Sequence, residues 1–425
     1  MNSEQEALIQ KRKQYAWWIF FSVSIPYVLV YFHRVAPAVV SQQLMSFFQI
    51  TGAEFGNLSA IYFYIYTIMQ VPAGVLADSI GPKRIIFFGS LLSGVGSILF
   101  GLSEVYSFAL FGRLLVGLGV SVIFVSILKL NQNWFDLKSF SLMSGITIFL
   151  GNLGAFFATY PLAYFTDLFG WQTTFIFIGV MGVLTGFLAF FVVVNHPKEK
   201  NFPLPEGLSD TPPLTLKEAN RGLFLVIRNP YTWLPFIAFF GIYGSLMVFQ
   251  GSWGILYLMH NYSLEKIEAS QYLMFLTFGL MVGGILQGNL AKRFRIKRLF
   301  FLNMLIFFLI FIVLGNFRLE LKLLPYLFFL MGVVGSSFIF IWTLAKNVNL
   351  PELAGSATGI ANMGGFLGAA VLQPLFGLIL DFHWEGHLLN ASRVYSFFAY
   401  QKAFLLLIGF LAISLLAIFF SKEHR

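Results

Sequence analysis

An all-α membrane protein with twelve transmembrane helices in two six-helix, pseudo-symmetric halves is the fold class this sequence predicts, and three observations carry the prediction. Only 11% of the residues are charged and 58% are hydrophobic, against roughly a quarter charged in an ordinary soluble domain. Apolar runs of about 20 residues, long enough to cross a hydrocarbon core, recur from end to end. Residues 74–84 also return in altered form 214 positions later, as structural repeats do.

The elements follow in order. Lys11-Arg12-Lys13 precedes an apolar stretch from Tyr15 to Val40. That stretch is too long for a signal peptide and has no small-residue cleavage site, so it stays as helix 1, near 15–39. Helices 2 to 6 are expected near 53–77, 84–102, 106–129, 141–166 and 172–194. Helices 7 to 12 are expected near 231–259, 267–291, 298–316, 323–345, 355–381 and 399–420. Between the sets, 195–230 is rich in Pro and charge and reads as a polar linker. The chain thus divides into a bundle at 1–194, a linker at 195–230 and a bundle at 231–425.

Lys and Arg set the orientation. Nineteen fall on the side of the N-terminus, the linker and the C-terminus, and five on the other; this predicts a multi-pass protein with both termini and the linker cytoplasmic. The formal charge of +9 therefore reads as topology, not as nucleic-acid affinity. The remaining three, Arg34, Arg113 and Lys129, fall in or at the edge of spans, where a charge is costly unless used or paired. The absence of cysteine excludes disulfides, thiolate metal sites and cysteine nucleophiles. His383-Trp-Glu385-Gly-His387 lacks a third strong ligand nearby, and the Gly-rich stretches lack a P-loop lysine. No cofactor or metal is expected, and an enzyme is disfavoured because no carboxylate sits mid-span.

The strongest motif is Gly74-Val-Leu-Ala-Asp78-Ser-Ile-Gly81-Pro-Lys83-Arg84, between helices 2 and 3. Gly74 allows close helix packing, Gly81 supplies an unusual backbone angle, and Lys83 and Arg84 anchor the inner face. Asp78 is placed to sit against a helix N-terminus. Its counterpart is Gly288-Asn-Leu-Ala-Lys292-Arg-Phe-Arg-Ile-Lys297-Arg298, and the same offset takes Gly145 to Gly359 and Asp167 to Asp381. At these residues the chain resembles the signature loop of the major facilitator superfamily, along essentially its whole length. Arg113-Leu-Leu-Val-Gly117, Asn133-Trp134-Phe135-Asp136 and Gly355-Ser-Ala-Thr-Gly359 add to the resemblance. It implies the major facilitator fold, alternating access, a bacterial inner (plasma) membrane and a gating role for Gly74, Asp78, Gly81, Lys83 and Arg84. In that family the acidic residue latches the halves on the cytoplasmic side; Lys292 replaces it in the second copy.

Helix 1 carries Tyr31-Phe-His33-Arg34-Val-Ala-Pro37. It resembles the organic-anion transporters of the superfamily, whose Arg binds a carboxylate and whose preceding acid carries the coupling proton; here His33 stands for the acid. The stretch from Arg34 through Tyr64-Ile-Tyr66-Thr-Ile-Met-Gln70 and Lys129 to Trp134-Phe135 is similar to the bacterial phagosomal-transporter branch. Physically, Tyr27, Tyr31 and Arg34 share a helical face, and a guanidinium there takes a carboxylate through two parallel hydrogen bonds. The alternative is an arginine snorkelling to the outer interface. Arg113 is expected to be buried against helix 1 or 2, either organising the site or binding backbone carbonyls. His33 is the candidate for proton coupling, or else a neutral hydrogen-bonding residue. On helix 7, Tyr243, Gln250 and Tyr257 are spaced for one face, with Trp253 beside them.

The expected function is transport of a small organic solute bearing a carboxylate, such as an amino acid, small peptide or organic acid. The candidate substrate residues are Tyr31, Arg34, Tyr62, Tyr66, Arg113, Gln250, Trp253 and Tyr257. The partners are that solute, a co-transported proton and the lipid bilayer; a monomer is expected. A nucleoside, drug or siderophore transporter of the same fold, or a non-transporting nutrient sensor, is the alternative.

Overall fold

The computed structural model describes residues 3–206 and 216–422. Among them, eleven helices are long and apolar enough to cross a membrane; a twelfth span is bent by 58° between Gly52–Ile68 and Pro72–Ser79. The bend falls where Pro72 removes a backbone donor. Helix 1 is Ser3–Val39 and helix 2 is Gly52–Ile68 with Gln70–Ser79. Helix 3 is Pro82–Gly101, and helix 4 is Tyr106–Ser121 with Ile123–Trp134. Helix 5 is Leu137–Phe157 with Tyr160–Phe169, and helix 6 is Trp171–Val192. Helix 7 runs as Trp233–Val248, a π-helical turn at Phe249–Trp253, and Gly254–Tyr262. Helices 8 and 9 are Lys266–Leu290 and Ile296–Asn316. Helix 10 is Leu324–Gly335 with Phe340–Asn347, helix 11 is Ala354–Phe382 and helix 12 is Phe397–Phe420.

Two boundaries depart from the sequence reading. Helix 1 begins twelve residues earlier than expected, because Ser3–Gln14 is made mostly of good helix formers that need not be apolar outside the bilayer. The linker holds an amphipathic helix, Leu216–Arg228, whose Val226 is fully buried. Pro212 and Pro213 of the linker lie outside the described residues.

Close helix approach replaces a large-side-chain core where helices 3 and 6 cross. A Cβ added to Gly94 would lie 2.7 Å from the Gly179 carbonyl, and one on Gly179 2.6 Å from the Gly94 carbonyl; two backbones meet there as small residues permit in membranes.

The halves are joined most firmly on the face opposite the termini, here the far face. Asp381, ending helix 11, accepts the backbone N–H of Gly52 at 2.9 Å and of Ala53 at 2.7 Å, at the start of helix 2. A helix N-terminus favours a carboxylate. Arg393 and the Tyr395 hydroxyl donate to the same carboxylate, at 2.9 and 2.7 Å. Arg393 is returned to it by a short hairpin pairing Leu388 with Arg393. Burial and the neighbouring carboxylate push the Tyr395 phenol up, so it remains a donor. Nearer the termini, Asn362 donates to Gln70 at 2.7 Å. Beyond that level the side chains that Gly74, Gly145, Gly288, Gly355 and Gly359 lack would enter open space. The seam is closed at the far face and open towards the termini.

Candidate substrate site between the halves

Arg34 sits at the centre of the seam. Its Nε donates to the Tyr62 hydroxyl and its Nη1 to the Tyr243 hydroxyl, both at 3.2 Å, so one side chain reaches from helix 1 to helix 2 and across to helix 7. Tyr62 in turn donates to the Val30 carbonyl at 3.1 Å, which fixes its ring. The guanidinium carbon lies 4.3 Å from the ring centre of Tyr31, 4.9 Å from Tyr66 and 5.2 Å from Phe366. Aromatic faces stabilise a cation without neutralising it. Arg34 is 5% exposed: it points inward along the seam, as helical side chains lean towards the N-terminus, and does not snorkel outward. No acidic side chain pairs with it among the described residues. Tyr66 and Phe366, 4.2 Å apart, form the floor towards the termini.

Arg113 lies behind this cage on helix 4, buried. Its Nη1 donates to the His33 carbonyl at 3.0 Å and its Nε to the Leu58 carbonyl at 3.5 Å; it also faces the Tyr62 ring at 5.5 Å. It thus ties helices 1 and 2 through backbone oxygens and holds Tyr62 from the other side. His33 is buried, and its Nδ1 has no hydrogen-bond partner among the described residues; the hydrogen bond it makes with Arg113 runs through its backbone carbonyl.

Helix 7 does not present Tyr243, Gln250 and Tyr257 on one face. The π turn at Phe249–Trp253 inserts a residue into the helical register; Gln250 lies within it and Tyr257 beyond it, so the regular spacing from Tyr243 is lost. Gln250 turns into its own half and donates to Thr277 on helix 8 at 2.9 Å. Tyr257 packs against Tyr400 and Phe404 and its hydroxyl approaches the Leu314 carbonyl. Trp253 belongs to the closed far-face seam: its indole N–H donates to the Gln373 carbonyl at 3.2 Å and its ring meets Phe55 edge-on. The structure therefore gathers Tyr31, Arg34, Tyr62 and Tyr66, keeps Arg113 adjacent, and places Gln250 and Tyr257 away from them. It brings in Tyr243, which the sequence analysis set on helix 7 but not among the substrate residues, and adds Phe366, whose sequence signal is faint, one phenylalanine among 53.

In the signature loop, Gly81 has φ +91°, as its turn demands, and the backbone N–H of nearby Lys83 donates to Asn195 Oδ1 at 2.8 Å. Lys83 places its ammonium over the Phe190 ring, and Arg84 is exposed. Asp78 pairs with Lys129 of its own half at 2.8 Å. Among the described residues it does not bridge to the second half with this face open.

Residues 15–373 match the family model described as Major Facilitator Superfamily. The chain belongs to that superfamily. It is a multi-pass membrane transporter and not an enzyme. It is similar to a probable hexose phosphate transport protein of Chlamydia trachomatis, 23% identical with 88% of each chain covered. It is also similar to the hexuronate transporter of Escherichia coli, 21% identical over 88% of this chain and 89% of that one. Among solved structures, a bacterial homologue of the human lysosomal transporter Spinster, inward-facing and unoccupied, superposes with a TM-score of 0.75. It shares 18% identity, and 95% of this chain and 96% of that one are covered. The fold is shared; the ligand is not inferred from it.

Proposed function

We propose that this major facilitator carries a small organic solute by its carboxylate, between a cytoplasmic termini face and the far face of a bacterial inner membrane. The observation that carries the reading is Arg34: a buried cation held by hydroxyls of both halves and by aromatic faces, with no acid among the described residues to neutralise it. A buried charge without a counter-charge is costly, and a carboxylate entering the cage supplies one through two charge-assisted hydrogen bonds. Because Tyr62 and Tyr243 belong to different halves, an anion that competes for the guanidinium alters the bonds between them. Binding is thereby coupled to the rocking of the halves. The hexuronate relative fits a carboxylate cargo. His33 remains our candidate for proton coupling.

Uptake into proteoliposomes tests this. Carboxylated solutes should accumulate with wild type and fail with Arg34→Ala, and an imposed inward-acid gradient should drive uptake in wild type but not in His33→Ala. Uptake by Arg34→Ala at the wild-type rate ends the carboxylate reading; indifference to the gradient removes His33 from coupling.

A further inference from the structure

Gln373, on helix 11, is fully buried where four helices meet. Its backbone carbonyl accepts the Trp253 indole of helix 7, and its Nε2 donates to the Met247 carbonyl at 3.3 Å. From helix 2, a Cβ on Gly56 would stand 2.6 Å from that same Gln373 carbonyl. A Cβ on Gly251 would lie 3.1 Å from the Arg34 carbonyl of helix 1 and 3.7 Å from Gln373 Nε2. Yet Gln373 Oε1 has no hydrogen-bond partner among the described residues. A buried amide oxygen left unpaired is destabilising, and replacing the side chain by an apolar one of similar shape would remove the cost.

Gln373 lies two turns towards the far face from Phe366, directly between the Arg34 cage and the Asp381 closure. A parting of helices 1 and 2 from this point, as an opening of the far face requires, would leave the amide bordering the path into the cage.

We infer that Gln373 is a specificity residue which binds a hydroxyl of the substrate while Arg34 holds its carboxylate, so that the transporter selects hydroxylated monocarboxylates over amino acids. This rests on the carboxylate reading of Arg34. An ammonium in this seam would join two buried cations, Arg34 and Arg113, neither paired with an acid among the described residues, whereas a hydroxyl adds no charge. A hydroxyl also gives or takes a hydrogen bond, and so suits an amide in either orientation.

The test is equilibrium binding of D-glucuronate, hexanoate and L-norleucine to the purified full chain, in wild type, Gln373→Met, Gln373→Asn and Arg34→Ala. Wild type should prefer D-glucuronate to both others. Gln373→Met should weaken D-glucuronate about tenfold, the scale of one or two hydrogen bonds, and leave hexanoate unchanged. Gln373→Asn, which withdraws the amide, should do the same and serves if the Met variant fails to fold. The ratio of D-glucuronate to hexanoate within one protein is blind to general structural damage. An unchanged ratio in both variants, or a wild-type preference for L-norleucine, overturns the inference. Retained binding of all three ligands by Arg34→Ala overturns the carboxylate reading instead.

Discussion

Asp381 and Gly52, joined across the far face at 2.9 Å, are the repeat partners of Asp167 and Lys266, which face each other across the same seam at 3.5 Å. The offset of 214 links each residue to its counterpart. It also links the capping box of Thr51 and Glu54, at the start of helix 2, to that of Glu265 and Glu268, at the start of helix 8. In both copies a carboxylate ending the penultimate helix of one half meets the capped start of the second helix of the other. They differ in strength. Asp381 is held by two backbone N–H groups, an arginine and a tyrosine, and is mostly buried; the side chain of Asp167 is 61% exposed, where an ion pair contributes little.

The first prediction follows from that asymmetry. Asp381→Asn should shift the population towards an open far face by roughly tenfold or more, the scale of charge-assisted hydrogen bonds, while Asp167→Asn should change it little. The chain has no cysteine, so spin labels on cysteines placed at Leu102 and Phe317, at the far ends of helices 3 and 9, report the distance without background. A longer distance in Asp381→Asn alone is expected; equal responses would mean the two latches share the load.

Glycines at the two ends of helix 2 should respond in opposite ways. A Cβ on Gly52 would stand 2.6 Å from the Tyr395 hydroxyl and 3.0 Å from the Gly377 carbonyl, so Gly52→Ala should lower thermal stability and loosen the far face. Gly74 has nothing within 4 Å. Gly74→Ala should leave the melting temperature unchanged and slow uptake, because close packing of that end is needed only when the termini face shuts. A melting temperature lowered in both would place Gly74 in a contact of this state.

How much of this was legible beforehand depended on whether a residue's environment is set locally. Helix number, the repeat, the Gly81 turn and the inward-facing role of Tyr31, Tyr62 and Tyr66 around Arg34 could be read because hydropathy, charge and backbone angle are local or periodic. Gln250 and Tyr257 were not placed, because an ideal period of 3.6 fails across a π turn that no residue type announces. The Asp381 latch was visible only as a repeat partner of Asp167. That it would sit on the Gly52 helix start depends on how two halves, distant in sequence, meet.

Arg113 should matter for stability more than for ligand choice. It binds two backbone carbonyls and faces Tyr62, so Arg113→Met should cost roughly 2–3 kcal/mol, the worth of bonds made by a charged donor. Its effect on selectivity among carboxylates should be small. Thermal unfolding in detergent with and without D-glucuronate separates the two; a wild-type melting temperature with lost binding would move Arg113 into the substrate shell.

The termini face carries an acid-sensitive anchor. Asp136, in the loop between helices 4 and 5, accepts Arg12 of helix 1 and the Glu206 backbone N–H, both at 2.9 Å, so it fastens the start of the linker to the first half. Partial burial pushes its carboxyl up, but the Glu206 amide and the Arg12 guanidinium outweigh this and hold it below the usual aspartate value. A group depressed in the folded state contributes stability above its unfolded pKa, about 3.9, and loses it as pH falls through the folded value. Cleavage in the linker by a protease should therefore be flat from about pH 8 to 5 and rise only below about pH 4. Asp136→Asn should be cleaved faster than wild type throughout the neutral range, since the amide keeps the shape but gives up the charge that Arg12 requires. Equal cleavage of the two proteins at neutral pH would show that Trp134 and Asn133, which bind the carbonyls of Val194 and Asn195, hold the linker without Asp136.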